Sequence, residues 1–528
     1  MAVKHNPAHR AERGPGEEDL QHLGRGSTLK IVGALSNTLM AFGMIVIVTR
    51  GYGQDAAGVY FATTTLFLLI GQAAEAGADQ SVLRYIPQLR ATGRGGDVRA
   101  LLRRIGRHVL ITSAAGALIA LLFAPFLGRA LSESSDYQAV INLIKVIVPF
   151  IPMIAITEVA LAATRGYQSM RPSVLIYDIS VPMLQVGLAL LARSLWPHRV
   201  LPLTLSFLVP YAVSMAWALW ALRRLMRQDH RLAPTPDGRV QDYWKFTIPR
   251  AAARICQYAL RRIDVVIVAA MAGPKDAAVY TAITRFITVG SVGVQAVQQV
   301  AQPKLGELLE LRDHPRIREV FRTTTIWLVV ASWPVFVLFG IFPGTALHAL
   351  GNDYVRGAAA LALLCAAQLI VVATGPVDIV LVMTGRSGLS LSNQVISLIV
   401  DVALCVALVP HWGVTGAALA KVIALLVNNL VASVQVFLQQ RLHPLCRGMA
   451  VAGLGCLVTV GGCCLIARAL LGQTFLGMLA GFLVGSATYL GLCVLERRSL
   501  RLDSLVDSLR GTSRGTHPHA PVPSGTAA

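Results

Sequence analysis

The chain has 528 residues, of which 55% are hydrophobic and only 14% charged, and its 47 Lys and Arg against 27 Asp and Glu give a formal net charge of +20. A soluble domain carries roughly 25% charged residues, so this composition excludes an ordinary soluble protein and indicates an integral membrane protein. Apolar runs of about 20 residues recur from end to end, each long enough to cross a hydrocarbon core as a helix. The short alternating strands of a barrel are missing.

The positive charge does not point to nucleic acid, because Lys and Arg sit mainly in short loops between apolar runs, where they set topology, and no nucleic-acid-binding motif accompanies them. The eight Cys residues, at 256, 365, 405, 446, 456, 463, 464 and 493, lie in or beside apolar segments without CxxC spacing. They suit small buried apolar positions, not a disulfide framework or zinc site.

In chain order, residues 1–28 are polar and have no cleavable apolar core, which predicts a disordered cytoplasmic tail and no signal peptide. About fourteen spans follow, near 29–49, 57–80, 108–128, 139–163, 173–193, 201–221, 246–271, 277–301, 320–342, 356–383, 389–409, 413–438, 448–470 and 474–495. With the N-terminus inside, basic stretches such as "RYIPQLRATGRGGDVRALLRRIGRH" (84–108), "RRLMRQDHR" and "ERRSLRLDSLVDSLR" fall on the cytoplasmic side. The opposite loops include "LSESSDY" and "FPGTALHALGNDY", which lack Lys and Arg, so both termini are expected inside. Arg193, Arg199 and Arg356 are exceptions to this asymmetry.

An internal repeat organises the spans. "GYGQDAAGVYFATT" (51–64) aligns without a gap on "MAGPKDAAVYTAIT" (271–284), matching among others Gly53 with Gly273, Ala57 with Ala277 and Tyr60 with Tyr280. A second echo pairs "LWPHRV" (195–200) with "LVPHWGV" (408–414). The repeat predicts an all-α fold of two parallel six-helix halves, 29–221 and 246–440, joined by a cytoplasmic linker at 222–245. Two extra helices at 441–495 and a cytoplasmic tail at 496–528 follow. Parallel halves of this kind, with a substrate path between them, are common in secondary transporters.

The seventh span, "PRAAARICQYALRRIDVVIVAAMAG" (249–273), is unusually charged. At about 100° per residue, Arg250, Arg254, Gln257, Arg261 and Asp264 fall within an arc of roughly 80°, with Arg262 about 100° from Arg261. Each Arg at a helix centre costs about 2.5 to 3.5 kcal/mol on insertion scales, so the stripe should line water. Two readings are open. In one, Arg250 and Arg254 snorkel to headgroups while Arg261 or Arg262 pairs with Asp264. In the other, the stripe is a cationic wall for an anionic substrate such as phosphate, which guanidinium binds in bidentate fashion. Arg285, inside the eighth span, adds a further guanidinium, with Asp264 or Asp276 as its alternative partner.

Glu75, Asp79, Glu158, Asp178, Asp378 and Asp401 also fall in or near spans. Intramembrane carboxylates either pair with bases, here including Lys145 and Lys421, or bind cations during transport. Asp178, Asp378 and Asp401 lie mid-span with no basic residue one turn away and are the preferred coupling candidates. Pro149, Pro152, Pro182, Pro249, Pro334, Gly375 and Pro376 are expected to bend or break helices.

Three stretches carry a family resemblance: "GYGQDAAGVYFATTTLFLLIGQAAEAGADQSVLRYIPQL", "RRIDVVIVAAMAGPKDAAVYTAITR" and "LVPHWGVTGAALAKVI". They resemble the first two helices, the seventh and eighth helices, and the start of the twelfth in bacterial polysaccharide flippases of the multidrug/oligosaccharidyl-lipid/polysaccharide superfamily. The resemblance covers about residues 28–495 and implies a MATE-like arrangement in the bacterial plasma membrane. It also implies a polyprenyl-pyrophosphate-linked oligosaccharide as substrate, moved to the outer leaflet by alternating access. In that frame Arg250, Arg254, Arg261 and Arg285 bind diphosphate, and Asp178, Asp264, Asp378 and Asp401 couple a proton or sodium ion or pair charges. Membrane lipids and polysaccharide-assembly proteins are the expected partners; no cofactor, metal or catalytic residue is assigned. The first half lacks a counterpart of "GVTGAALA", and Asp401 stands where such proteins often have a neutral polar residue. A peptidoglycan lipid-precursor flippase and a multidrug or cation exporter are the alternatives within the superfamily. A membrane glycosyltransferase or polymerase, using Asp55, Glu133 and Asp136, is the alternative outside it. An ATP-driven pump is disfavoured because no GxxxxGK[ST] loop occurs.

Overall fold

The computed structural model describes residues 33–34, 36–130, 137–197, 199–227, 243–310, 313–384 and 386–497; the side chains of some of these, Arg250 and Arg254 among them, lie outside the described set. The two expected tails, most of the 222–245 linker and the loop holding Glu133 and Asp136 fall outside the described residues.

Every element is helical. In chain order they are α1 (36–51), α2 (Gln54–Glu75), α3 (Ala78–Ala91), α4 (Val98–Ala130), α5 (Tyr137–Ile147) and α6 (Ile151–Gly166). Then come α7 (Arg171–Leu195), α8 (Val200–Met226), α9 (Tyr243–Glu310), α10 (His314–Ile341), α11 (Pro343–His348), α12 (Ala358–Ala373), α13 (Val377–Met383) and α14 (Ser387–Gln440). The chain closes with α15 (Arg447–Leu471) and α16 (Phe475–Leu495).

Among the described residues, 11 helical stretches are long and apolar enough to cross a membrane. The difference from the expected fourteen spans lies mainly in continuity. Helix α9 runs through the boundary expected between the seventh and eighth spans, bending at Gly273 (φ 85°, ψ 172°). Helix α14 likewise joins the eleventh and twelfth, bending at Gly413 (φ 52°, ψ −129°). Positive φ is inexpensive only for glycine, and Pro274 biases the residue before it away from helical geometry. Each bend turns the chain back on itself without an intervening loop.

A second difference concerns residues 84–108, expected as a loop. They are almost wholly helical, in α3 and α4, around a short turn at Gly95–Asp97 held by an ion pair from Arg94 Nε to Asp97 Oδ2 at 2.9 Å. Val82, Tyr85, Ile86 and Leu89, then Val98, Leu101 and Ile105, recur at three- and four-residue spacing and are all buried. That amphipathic stripe makes a helix with one dry face, although its Arg-rich opposite face suggests a loop.

Other helix breaks fall where proline and glycine suggested. Pro149 lies in a tight turn between α5 and α6, and α12 ends before Gly375 (φ 80°) and Pro376. Pro334, by contrast, sits inside α10.

The two repeated stretches meet. Asp55 pairs with Lys275 at 3.5 Å, and these are the residues that the repeat alignment makes equivalent. Gly58 lies so close to the Pro274 carbonyl that an added Cβ would overlap it. A buried apolar core continues from this meeting point through α1, α2, α9, α10, α12 and α14, while a second core occupies α2 to α8.

Candidate functional site

Charge inside a bilayer is stable only beside an opposite charge, a ligand or water, so the pairing of each intramembrane ion identifies its role. Around the bend of α9 the pairing divides sharply. Arg262 and Asp264 are two residues apart and therefore about 200° apart around the helix. They occupy different environments.

On one side, Asp264 is buried at 1% relative exposure, and Asp401 of α14 at 0%. Lys421, beyond the bend of α14, reaches both: Nζ lies 3.1 Å from Asp264 Oδ2 and 3.2 Å from Asp401 Oδ2. The bend at Gly413 is what brings residue 421 back beside residue 401. The ammonium also donates to the Leu260 carbonyl. Tyr280 Oη donates to Asp264 Oδ2 at 2.7 Å, and the Val265 N–H donates to Asp264 Oδ1 at 2.9 Å. Cys405 Sγ stands 4.0 Å from Asp401 Oδ1. Two carboxylates and one ammonium, all ionised, leave a single negative charge uncancelled.

On the other side, Arg262 is part-buried and lies within electrostatic range of Arg285, on the second limb of α9, and of Tyr211 on α8. Arg285 in turn interacts with Tyr60 of α2. Among the described residues neither guanidinium has a carboxylate partner within ion-pair distance, and the Arg285 Nε is buried without a hydrogen-bond partner. Arg262 and Arg285 are thus within electrostatic range of each other and neither is ion-paired among the described residues, although the Glu158 carboxylate acts on the same Tyr211 as Arg262 does.

The expected arginine stripe is not a single uniform face. Arg261 is exposed, Gln257 is part-buried and Asp264 is turned into the α14 interface. Three residues rotate a helix by about 300°, so Asp264 stands about 60° from Arg261, enough to cross from an open face to a packed one. Neither Arg261 nor Arg262 makes the ion pair with Asp264 that one sequence reading allowed; Lys421 makes it. Asp276, the other partner considered for Arg285, pairs instead with Arg356 at 2.9 Å. The backbone of Arg250 and Arg254 is helical, but their side chains lie outside the described set.

The remaining carboxylates are dispersed. Asp178 is buried at 6% exposure in a π-helical stretch of α7, Val174–Ser180, and packs beside Gly33. Asp378 stands in the first turn of α13, and its Oδ1 is buried without a hydrogen-bond partner. Tyr280 escaped the sequence reading as a site residue, although its repeat match with Tyr60 was visible; both are almost fully buried, at 0% and 1%. Arg262 was set aside because it lies off the arc, and no local pattern places it beside Arg285.

The chain matches the family described as "Polysaccharide biosynthesis protein" over residues 23–309. Its fold resembles that of the lipid II flippase MurJ in an inward closed conformation, with a TM-score of 0.68 and 13% identity over 88% of this chain and 98% of that one. It also resembles a multidrug resistance MATE family transporter of the MOP superfamily in an inward-facing conformation (TM-score 0.60, 16% identity, 78% and 97% covered). A MOP superfamily transporter from Pyrococcus furiosus, whose binding pocket is described as having reverse polarity, is similar at TM-score 0.53 and 15% identity, with 83% and 98% covered. No curated protein matches the chain.

Proposed function

The chain belongs to the polysaccharide biosynthesis protein family and is a multi-pass membrane protein with the fold of MOP superfamily transporters, and from that premise we propose that it flips a polyprenyl-pyrophosphate-linked oligosaccharide across the bacterial plasma membrane. The observation that carries this reading is the Arg262–Arg285 pair, two guanidinium groups within electrostatic range of each other and neither ion-paired among the described residues. Neighbouring cations in a low-dielectric site repel, and an anion of about two charges relieves both the repulsion and the unmet hydrogen-bonding capacity. A pyrophosphate has that charge and accepts bidentate hydrogen bonds from guanidinium. Arg250, Arg254 and Arg261, which precede this pair in the sequence of α9, are proposed as further ligands of the same anion.

In this reading the helices make fourteen crossings, because α9 and α14 each cross twice and α1 adds one to the eleven stretches. They form two parallel six-helix halves, 29–221 and 246–440, plus two C-terminal helices, with both termini cytoplasmic. The contact between equivalent residues Asp55 and Lys275 supports a pseudo-twofold axis along the membrane normal. Alternating access rocks one half against the other around a central site, driven by a proton or sodium ion at one or more of Asp178, Asp264, Asp378 and Asp401.

Mass spectrometry of lipids that co-purify with the protein tests the substrate. Wild type should retain a polyprenyl-pyrophosphate glycan, and a variant carrying Arg262→Gln and Arg285→Gln should lose it. Retention of a peptidoglycan lipid precursor would reassign the substrate within the anionic class. Equal retention of the glycan by the variant would remove the guanidinium pair from the binding site.

A further inference from the structure

Helix α4 is longer than one crossing needs. Its 33 residues, Val98–Ala130, make about 50 Å of helix, against a hydrocarbon core of about 30 Å. The stretch 109–128 has no charged residue and by itself covers that core, so the turns at 98–108 stand outside the hydrocarbon at one end. Arg99, Arg103, Arg104 and Arg107 fall in those turns, and the sequence of α4 holds no Asp or Glu.

The face that these arginines occupy is the one that meets lipid further along the helix. At about 100° per residue the four positions lie within an arc of roughly 140°, and Leu110, Ile111, Leu118, Leu121 and Leu122 lie within the same arc. All nine residues are exposed. On the opposite face, Val98, Leu101, Ile105 and Val109 are buried in the core of the first half. The exposed face therefore changes from guanidinium to hydrocarbon between Arg107 and Leu110, over a rise of about 4.5 Å. Among the described residues Arg99, Arg103 and Arg107 form no ion pair. Asp97, the acid that precedes them, is held by Arg94 at 2.9 Å.

We propose that this face is a docking site for an anionic phospholipid, whose phosphate lies between Arg103 and Arg107 and whose acyl chains run along Leu110, Ile111 and Leu118. The inference needs only that the chain spans a membrane and is independent of what it carries. The polar layer on each side of the hydrocarbon is about 5 to 7 Å deep. Arg107 stands within it, and Arg103, one turn further out, reaches it along its flexible stem. A free phosphate would use only the guanidinium part of the surface, and an acidic polypeptide would leave the adjoining apolar part uncovered. A phospholipid matches both. Each basic residue beside an anionic membrane surface strengthens the attraction by a factor of about five, so the loss of two is measurable.

The test is native mass spectrometry of the full-length protein in detergent, titrated with phosphatidylglycerol and, separately, with phosphatidylethanolamine of the same acyl chains. Wild type should bind phosphatidylglycerol about tenfold more tightly or better. Arg103→Gln with Arg107→Gln should weaken that binding by about tenfold or more and leave phosphatidylethanolamine unchanged. Both side chains are exposed, so the variant should fold, and its thermal midpoint checks this. Arg318→Gln with Arg447→Gln removes the same charge from exposed positions on α10 and α15 and should bind as wild type does. The proposal is overturned if wild type does not distinguish the two lipids, or if the folded Arg103 and Arg107 variant keeps the preference. It is overturned too if the Arg318 and Arg447 variant loses as much, which would make the attraction a matter of net charge. Displacement of the lipid by equimolar inorganic phosphate would reassign the face to a free anion, and displacement by equimolar poly-glutamate would reassign it to an acidic protein.

Discussion

Arg262 and Asp264 share one helical turn of α9, yet one face of that turn holds a counter-ion and the other does not. Asp264 meets Lys421, Tyr280 and, through the lysine, Asp401, so it has an opposite charge within the protein, shared with a second acid. Arg262 is within electrostatic range of Arg285 and has no ion-pair partner among the described residues. The lesson concerns where a charge is completed. A carboxylate–ammonium cluster serves the fold because its partners are built in, whereas an unmatched pair of cations must be completed by something that arrives from outside. Burial differs between the two cases, with Asp264 and Asp401 buried and Arg262 and Arg285 part-buried, but it is the pairing that separates their roles.

The contrast breaks most visibly at Lys421. Lys421→Ala leaves Asp264 and Asp401 buried without their shared cation, a loss expected to cost about 3 to 5 kcal/mol. Thermal unfolding in detergent should register it as a large fall in midpoint. Adding Asp264→Asn and Asp401→Asn to the same chain removes both uncompensated charges and should recover most of the loss. A single variant as stable as wild type would show that the cluster is held by something other than its ion pairs.

The guanidinium pair should respond in the opposite direction, and more weakly. Arg262→Gln with Arg285→Gln removes two cations that repel each other and have no acid to leave stranded. Without substrate, the variant should unfold within about 1 kcal/mol of wild type or slightly above it, because exchanging buried charge for neutral groups is often neutral or stabilising. Its loss should appear in glycan retention. A drop in stability comparable with that of Lys421→Ala would mean that the arginines have an internal anion after all, and the distinction between the two faces of α9 would collapse.

Much of this architecture was legible because it depends on composition and spacing. Apolar runs gave the crossings, Gly375–Pro376 marked the break after α12, and the repeat aligned Asp55 with Lys275 and Tyr60 with Tyr280. What was not legible depends on chain reversal. The charges at 84–108 disguised a helical stripe whose dry face, Val82 to Ile105, was also present in the sequence but weaker than the arginine signal. Lys421 is one of the bases that the sequence offers to the buried acids, but it lies 20 residues beyond Asp401, and only the bend at Gly413 makes these two neighbours. Arg262 and Arg285 meet for the same reason across the bend at Gly273. Helical periodicity assigns faces within a straight segment. It does not say which face meets which after the segment folds back.

The smallest effect belongs to the pair that joins the two repeated stretches. Asp55 and Lys275 are 66% and 54% exposed at their side chains and stand 3.5 Å apart, a geometry in which water screens most of the attraction. Asp55→Asn or Lys275→Gln should each change stability by less than about 1 kcal/mol. The exchanged pair, Asp55→Lys with Lys275→Asp, should restore whatever either single change removes, because the repeat places equivalent positions opposite each other and the contact depends on opposite sign, not on which half supplies it. The close packing of Gly58 on Pro274 is a different kind of contact, short-ranged and independent of sign. Gly58→Ala would force the two stretches apart at a cost of about 1 to 3 kcal/mol. If the charge exchange is the more damaging of the two, the ion pair is doing more than its exposure permits, and the meeting of the halves depends on charge where the structure indicates shape.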